Sequence, residues 1–253
     1  MILRRVIAHF KKQEWTAIGL DFVIVVVGVF IGIQVANWND MQASKARETE
    51  LLVELRRELE ASIRVTNQKR DAFTQVVAAG RRSLKFIESD DDCGNECWPV
   101  LVDFFHASQW QTMDVNRSTY DEMRRQGLPR SRAIVDAVEN YLAHNLNLAS
   151  THRLPVYRSL VRQMISVDAQ AYYWENCFGL DDGVETYVLD CPKGVTDNVA
   201  ARVVGKIVDH PGIEPNLTEW VGIMVSNPGD LGKQNETAKI AIAAIDAELE
   251  RRK

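Results

Sequence analysis

The stretch WTAIGLDFVIVVVGVFIGIQVANW, Trp15 to Trp38, is an almost unbroken apolar run with a tryptophan at each end and one carboxylate, Asp21. Wound as a helix, residues 16–37 would reach roughly 33 Å, about the thickness of bilayer hydrocarbon. Trp15 and Trp38 would then lie at the two headgroup levels, where an indole is half in oil and half wet. A soluble strand is the first competing reading of so much valine and isoleucine, but a strand would meet a turn residue well before this run ends. A cleaved signal peptide is the second; the run is too long for a typical signal core, and Met41 to Ala43 makes a poor cleavage site. The sequence therefore predicts an uncleaved transmembrane helix over 15–38.

Arg4, Arg5, Lys11 and Lys12 precede the run against the single acid Glu14, whereas Lys45 and Arg47 after it are offset by Asp40, Glu48 and Glu50. The positive-inside bias then puts the N-terminus in the cytoplasm and about 215 residues on the far side. Residues 1–14, with Leu3, Val6, Ile7 and Phe10 at helical spacing among basic residues, read as a cytoplasmic interfacial segment.

Beyond the run the composition is that of a folded domain: the chain is 26% charged and 46% hydrophobic. A net charge of −5, with basic residues interleaved among acids, gives no sign of nucleic-acid binding. Four cysteines fall into two local pairs, Cys93 with Cys97 and Cys177 with Cys191. In an oxidising compartment two disulfides are the economical expectation, although four cysteines allow three connectivities. A zinc site is the alternative for Cys93 and Cys97, but no histidine lies near either pair and there is no CxxC.

Residues 39 to 88 lack proline and place Leu52, Leu55, Leu59, Ile63, Thr66, Phe73, Val77, Leu84 and Ile87 at three- and four-residue steps among charged residues. This predicts a long amphipathic stalk helix within 39–92. Its stripe suits either a short coiled-coil seam, interrupted at Lys69 and Gly80, or packing on its own domain. A mainly α extracytoplasmic domain follows over 93–253. Its expected helices run near 100–108, 118–126 (closed by Gly127), 131–147, 155–174, 197–208, 217–226 and 232–251, and only Glu185 to Leu189 resembles a strand.

The segment GLDFVIVVVGVFIGIQVANWND resembles the N-terminal signature of a large uncharacterised family of bacterial membrane proteins, carried here by Asp21, Gly28, Gly32, Gln34, Asn37, Trp38, Asn39 and Asp40. A second piece, STYDEMRRQGLPRSRAIVDAVENYLAHN, is similar to that family's helix, glycine turn and helix, through Tyr120, Met123, Gly127, Ile134, Val138 and Tyr141. The resemblance implies a single-span protein of the bacterial inner membrane with a helical periplasmic domain and no assigned activity.

At about 100° per residue, Gly28 and Gly32 fall within roughly 20° of Asp21 around the helix, and Ala36 some 60° away. That face would let a second helix approach closely, so the expected partners are the bilayer and another copy of the chain or a partner membrane helix. Asp21 has a further reading, since an acid inside a span is similar in outline to the proton carrier of ion-motive stator subunits. Against this, Asp21 is only about 9 Å of rise from Trp15, near the interface and in the first turns of a helix.

His106, His144, His152 and His210 are scattered and read as core or surface residues. The run Asp90, Asp91, Asp92, Asn95 and Glu96 lacks EF-hand spacing and reads as a solvated turn. Tyr172, Tyr173 and Trp174 read as core packing near Cys177. No hydroxyl or thiol stands in a recognisable nucleophile motif and no glycine loop is built for phosphate. The expectation is a non-enzymatic, membrane-anchored binding or scaffolding protein without a cofactor. A subunit of an ion-conducting complex and a periplasmic enzyme of unrecognised type are the alternatives.

Overall fold

The computed structural model describes residues 15–89, 92–181 and 184–253. The expected interfacial segment 1–14 lies outside them, as do Asp90 and Asp91 of the acidic turn. Contacts divide the chain into two units, residues 1–53 and 54–253, and the architecture is mainly α.

The first helix, α1, is Trp15–Ser89 and contains no proline. Among the described residues it is the one helix long and apolar enough to cross a membrane, and its most apolar stretch is wholly unburied. In the first unit, Leu20, Phe22, Val23, Ile24, Phe30, Ile33 and Trp38 all stand exposed, so the apolar surface runs right round the helix.

In the second unit, the stripe on the rest of α1 is satisfied internally: Leu55, Leu59, Phe73, Val76 and Ala79 are buried. Packing on its own domain is thus the arrangement adopted from Leu55 onward. Gly80, expected to interrupt a seam, is instead a point of close approach. A Cβ there would collide with the Val221 side chain and press on Leu217 and Ala107.

Helix α2, Cys97–Ala107, begins earlier than the sequence suggests, because Pro99 falls in the first turn, where its missing N–H is no loss. Helix α3, Ser118–Arg125, ends at Gly127, whose φ of +72° suits a residue without a side chain. Helix α4 is Arg132–Thr151. The single helix expected over 155–174 is two, α5 Val156–Met164 and α6 Val167–Asn176. Ile165 is extended between them, and the Ser166 Oγ accepts from the Ala169 N–H at 3.4 Å, a cap that starts a new helix.

A two-stranded hairpin follows, β1 Phe178–Asp181 against β2 Val184–Tyr187, antiparallel with Phe178 opposite Tyr187. The chain closes with α7, Asp197–Val208, and α8, Ile213–Arg251. Helix α8 runs through Pro228 where two helices were expected. Leu217, Trp220, Val221 and Met224 before the proline and Leu231, Ala238, Ala241 and Ile245 after it are all buried, so packing on both sides outweighs one lost hydrogen bond.

The core gathers Phe73, Trp98, Phe104, Phe105, Tyr157, Tyr173, Ile207, Leu217 and Trp220. Both expected cystines are present, Cys93–Cys97 and Cys177–Cys191, with Cα separations of 4.9 and 5.0 Å. The second fastens the end of α6 to the segment beyond the hairpin, where the Trp98 indole N–H donates to the Cys191 carbonyl at 3.4 Å.

Candidate functional site

A half-open cleft of about 530 Å³ lies within the second unit, between α1, the loop before α3, the start of α3, and residues of α4 and α8. That is within the ordinary range for small-molecule sites, roughly 300–1,000 Å³. Helical spacing on α1 brings Glu54, Arg57, Glu58, Ser62, Thr66 and Lys69 to it; the loop adds Asp114 and Asn116, α4 adds Asn145, and α8 adds Leu231 and Gln234.

Lys69 is the unusual residue of this lining. It occupies the buried face of α1 between Thr66 and Phe73 and is only 8% exposed. Its ammonium donates to the Thr112 carbonyl at 2.6 Å. Burial lowers its pKa, with Asp114 acting in the opposite sense. No carboxylate of the described residues lies within ion-pair distance of it.

Glu58 is committed elsewhere. Its Oε2 accepts from the Thr119 N–H at 3.2 Å, the Thr119 hydroxyl at 2.7 Å and the Ser118 hydroxyl at 3.3 Å. Arg117, at the N-cap of helix α3, makes no capping bond; Asn116 Oδ1 accepts from the Ser118 N–H at 3.0 Å, and Glu58 adds a second acceptor from α1.

The Asn145 amide donates to the Met113 carbonyl at 2.6 Å, and with Lys69 it holds the loop against the helices. Gln234 is 2% exposed. Its amide lies beside the Tyr141 hydroxyl, which is paired with Ser62 at 2.5 Å, and no hydrogen bond of acceptable geometry closes on either amide atom of Gln234. Arg57 and Arg64 stand at the exposed rim, and among the described residues neither forms an ion pair.

A second polar cluster is built differently, with every group turned inward. Arg158 donates to the Ser108 carbonyl at 2.8 Å, while Arg162 donates to the Ser108 hydroxyl at 3.0 Å and to Gln109 Oε1 at 2.9 Å. The Arg162 guanidinium also lies 4.6 Å from the Phe105 ring centre and 5.0 Å from that of Trp174. Burial and the adjacent Arg158 lower its pKa to about 10. Gln111 joins this cluster to the hairpin, donating to the Glu185 carbonyl at 3.2 Å and accepting from the Glu185 N–H at 3.1 Å. This network ties the loop after α2 to α5 and β2.

The residues singled out in the sequence are dispersed. Asp21, Gly28, Gly32 and Ala36 are exposed on α1, with open space around both glycines, and Trp15 and Trp38 are exposed at the two ends of the apolar stretch. The four histidines do not converge. His106 packs against Tyr173, His152 stacks on Trp110, His144 Nε2 lies 3.3 Å from the Asp230 carbonyl, and His210 Nδ1 accepts from the Gly212 N–H. Asp92, Cys93 and Cys97 come together, but both sulfurs are tied in the cystine. Tyr173 lies in the core, with Trp174 against Phe105 and Phe178 and Tyr172 edge-on to Trp98.

No protein-family model matches this sequence, and comparison with curated proteins and with solved structures finds no similar chain. The cleft residues Gln234 and Asn145 carry no sequence signal. Lys69 does, as a lysine at a register position otherwise occupied by Thr66, Phe73 and Val76 on the buried stripe.

Proposed function

We propose that this chain is a single-pass membrane protein that assembles through its span and carries a helical, disulfide-stapled binding and scaffolding domain outside the cytoplasm. The observation behind the reading is the apolar surface that runs right round α1 from Leu20 to Trp38. Each exposed Val, Leu, Ile or Phe forgoes about 1.5–3 kcal/mol of burial in water, tens of kcal/mol over the stretch, and bilayer hydrocarbon removes that penalty. A helix also satisfies its own backbone there.

The flanking charges orient the N-terminus toward the cytoplasm, and two cystines suit an oxidising compartment. Together with the resemblance of the span, these features support a domain in a bacterial periplasm. Asp21, Gly28 and Gly32 form the face for a second helix, which is the route of assembly. The role assigned to the domain is binding, without catalysis.

Reporter fusions test the topology. Alkaline phosphatase at the C-terminus should be active and a fluorescent protein at the N-terminus should glow; the opposite pattern, or release of the protein by alkaline carbonate, refutes it. Gly28→Leu with Gly32→Leu should reduce crosslinking between copies or to a partner helix in native membranes.

A further inference from the structure

We infer that the cleft between α1, α4 and α8 binds a small solute bearing an oxyanion, a carboxylate or a phosphate, with Lys69 as its anchor and Gln234 as the group that reads a neighbouring polar atom. Two observations converge on this. Among the described residues the buried Lys69 ammonium hydrogen-bonds the Thr112 carbonyl alone and has Asp114 nearby but beyond ion-pair distance, which leaves two of its three donors unspent. A buried charge without a direct ion-pair partner is costly, and an arriving oxyanion would offset that cost while forming charge-assisted hydrogen bonds. Gln234, almost fully buried, presents an amide with no hydrogen bond closed. Such a group disfavours the empty state unless something polar comes to it.

The acids of the lining leave the Lys69 ammonium without a direct ion pair. Glu58 is engaged by three donors at the start of α3, and Asp114 is exposed and outside ion-pair distance of Lys69. The three acids Glu54, Glu58 and Asp114 match Arg57, Arg64 and Lys69, so the lining as a whole is formally neutral, and Lys69 is its one buried charged side chain. A cationic solute would have to sit against that ammonium. The volume suits a molecule of a few to some twenty heavy atoms rather than a polymer.

The inference rests on the reading of residues 54–253 as a binding domain and is independent of which side of the membrane they occupy. The test therefore uses the whole chain in phosphatidylcholine nanodiscs, where both faces meet solution. Titration calorimetry with succinate and with inorganic phosphate should show saturable binding by at least one, and the tighter of the two names the source. Lys69→Met, close in length and uncharged, should weaken that binding at least tenfold, whereas Lys69→Arg should retain much of it. Gln234→Glu, which sets a carboxylate in the cleft, should also weaken it and serves as the second variant if Lys69→Met does not fold. Absence of binding by both anions at millimolar concentration, or binding unchanged in Lys69→Met or in Gln234→Glu, overturns the inference. Preferential binding of spermidine overturns the oxyanion assignment while leaving a binding domain in place.

Discussion

His106 and His152 have been moved out of the range in which histidine usually titrates. Burial lowers both to about 4 from an ordinary value of 6.5, a change opposed for His106 by the Cys177 backbone and for His152 by that of Gln111. Both are neutral in the fold down to that point, whereas the unfolded chain takes up their protons below about 6.5. Stability is therefore undiminished above that value and falls as the pH drops toward 4, by roughly 2–3 kcal/mol per histidine at the lower limit. Urea unfolding between pH 7.5 and 4.5 measures the slope, and His152→Gln should lose its own share of it; an identical slope in the variant would mean that His152 is protonated within the fold. Glu58 makes a different residue-scale prediction. Glu58→Ala removes the side-chain acceptor of the Thr119 N–H at the start of α3 and leaves Asn116 on the Ser118 N–H, an expected loss of about 1–2 kcal/mol by denaturant melting. Retention of full stability would show that solvent caps the helix equally well.

Among the elements, α1 and α8 are where local preference and packing disagree, and packing wins twice. Gly80 in mid-helix should weaken α1 by about 1 kcal/mol relative to alanine, yet Val221 fills the space a side chain would need. Overpacking at such a contact costs about 1–3 kcal/mol, more than the propensity gained, so Gly80→Leu should be clearly destabilising in chemical denaturation. A stabilised variant would place α8 further from α1 than this contact allows. The same disagreement explains what the sequence could disclose. Stripes at Leu55, Leu59 and Phe73 and the turn at Gly127 are one-dimensional signals, and they locate α1 and α3 within a residue or two. The sequence predicts two helices where α8 runs; Pro228 and Gly229 between them are strong local breakers, and the burial of residues on both sides keeps the helix whole. The break between α5 and α6 was legible in principle, since Ser166 precedes Asp168 as a cap precedes an acid in a first turn. The cleft was not legible, because Lys69, Asn145 and Gln234 meet only when α1, α4 and α8 do, and of these only Lys69 breaks a pattern.

For the molecule as a whole, the two cystines couple stability to compartment. Both lie beyond the apolar stretch of α1, in the unit 54–253. Their sequence separations of 4 and 14 residues give them unequal weight, since a crosslink that closes a longer loop removes more freedom from the unfolded chain. The chain-entropy relation gives about 2 kcal/mol for Cys93–Cys97 and about 3 kcal/mol for Cys177–Cys191. Together these are comparable with a large share of the 5–15 kcal/mol by which a typical domain is stable. Paired substitution Cys177→Ala with Cys191→Ala should therefore lower unfolding stability more than Cys93→Ala with Cys97→Ala, as measured by urea midpoints on oxidised protein. The reverse order would mean that the short crosslink fixes α2 in a way that loop length does not capture. A chain held in a reducing compartment would forgo both contributions, so its oxidised and reduced forms should differ in protease resistance. Equal resistance of the two forms would argue that the cystines are dispensable and would remove the compartment argument drawn from them.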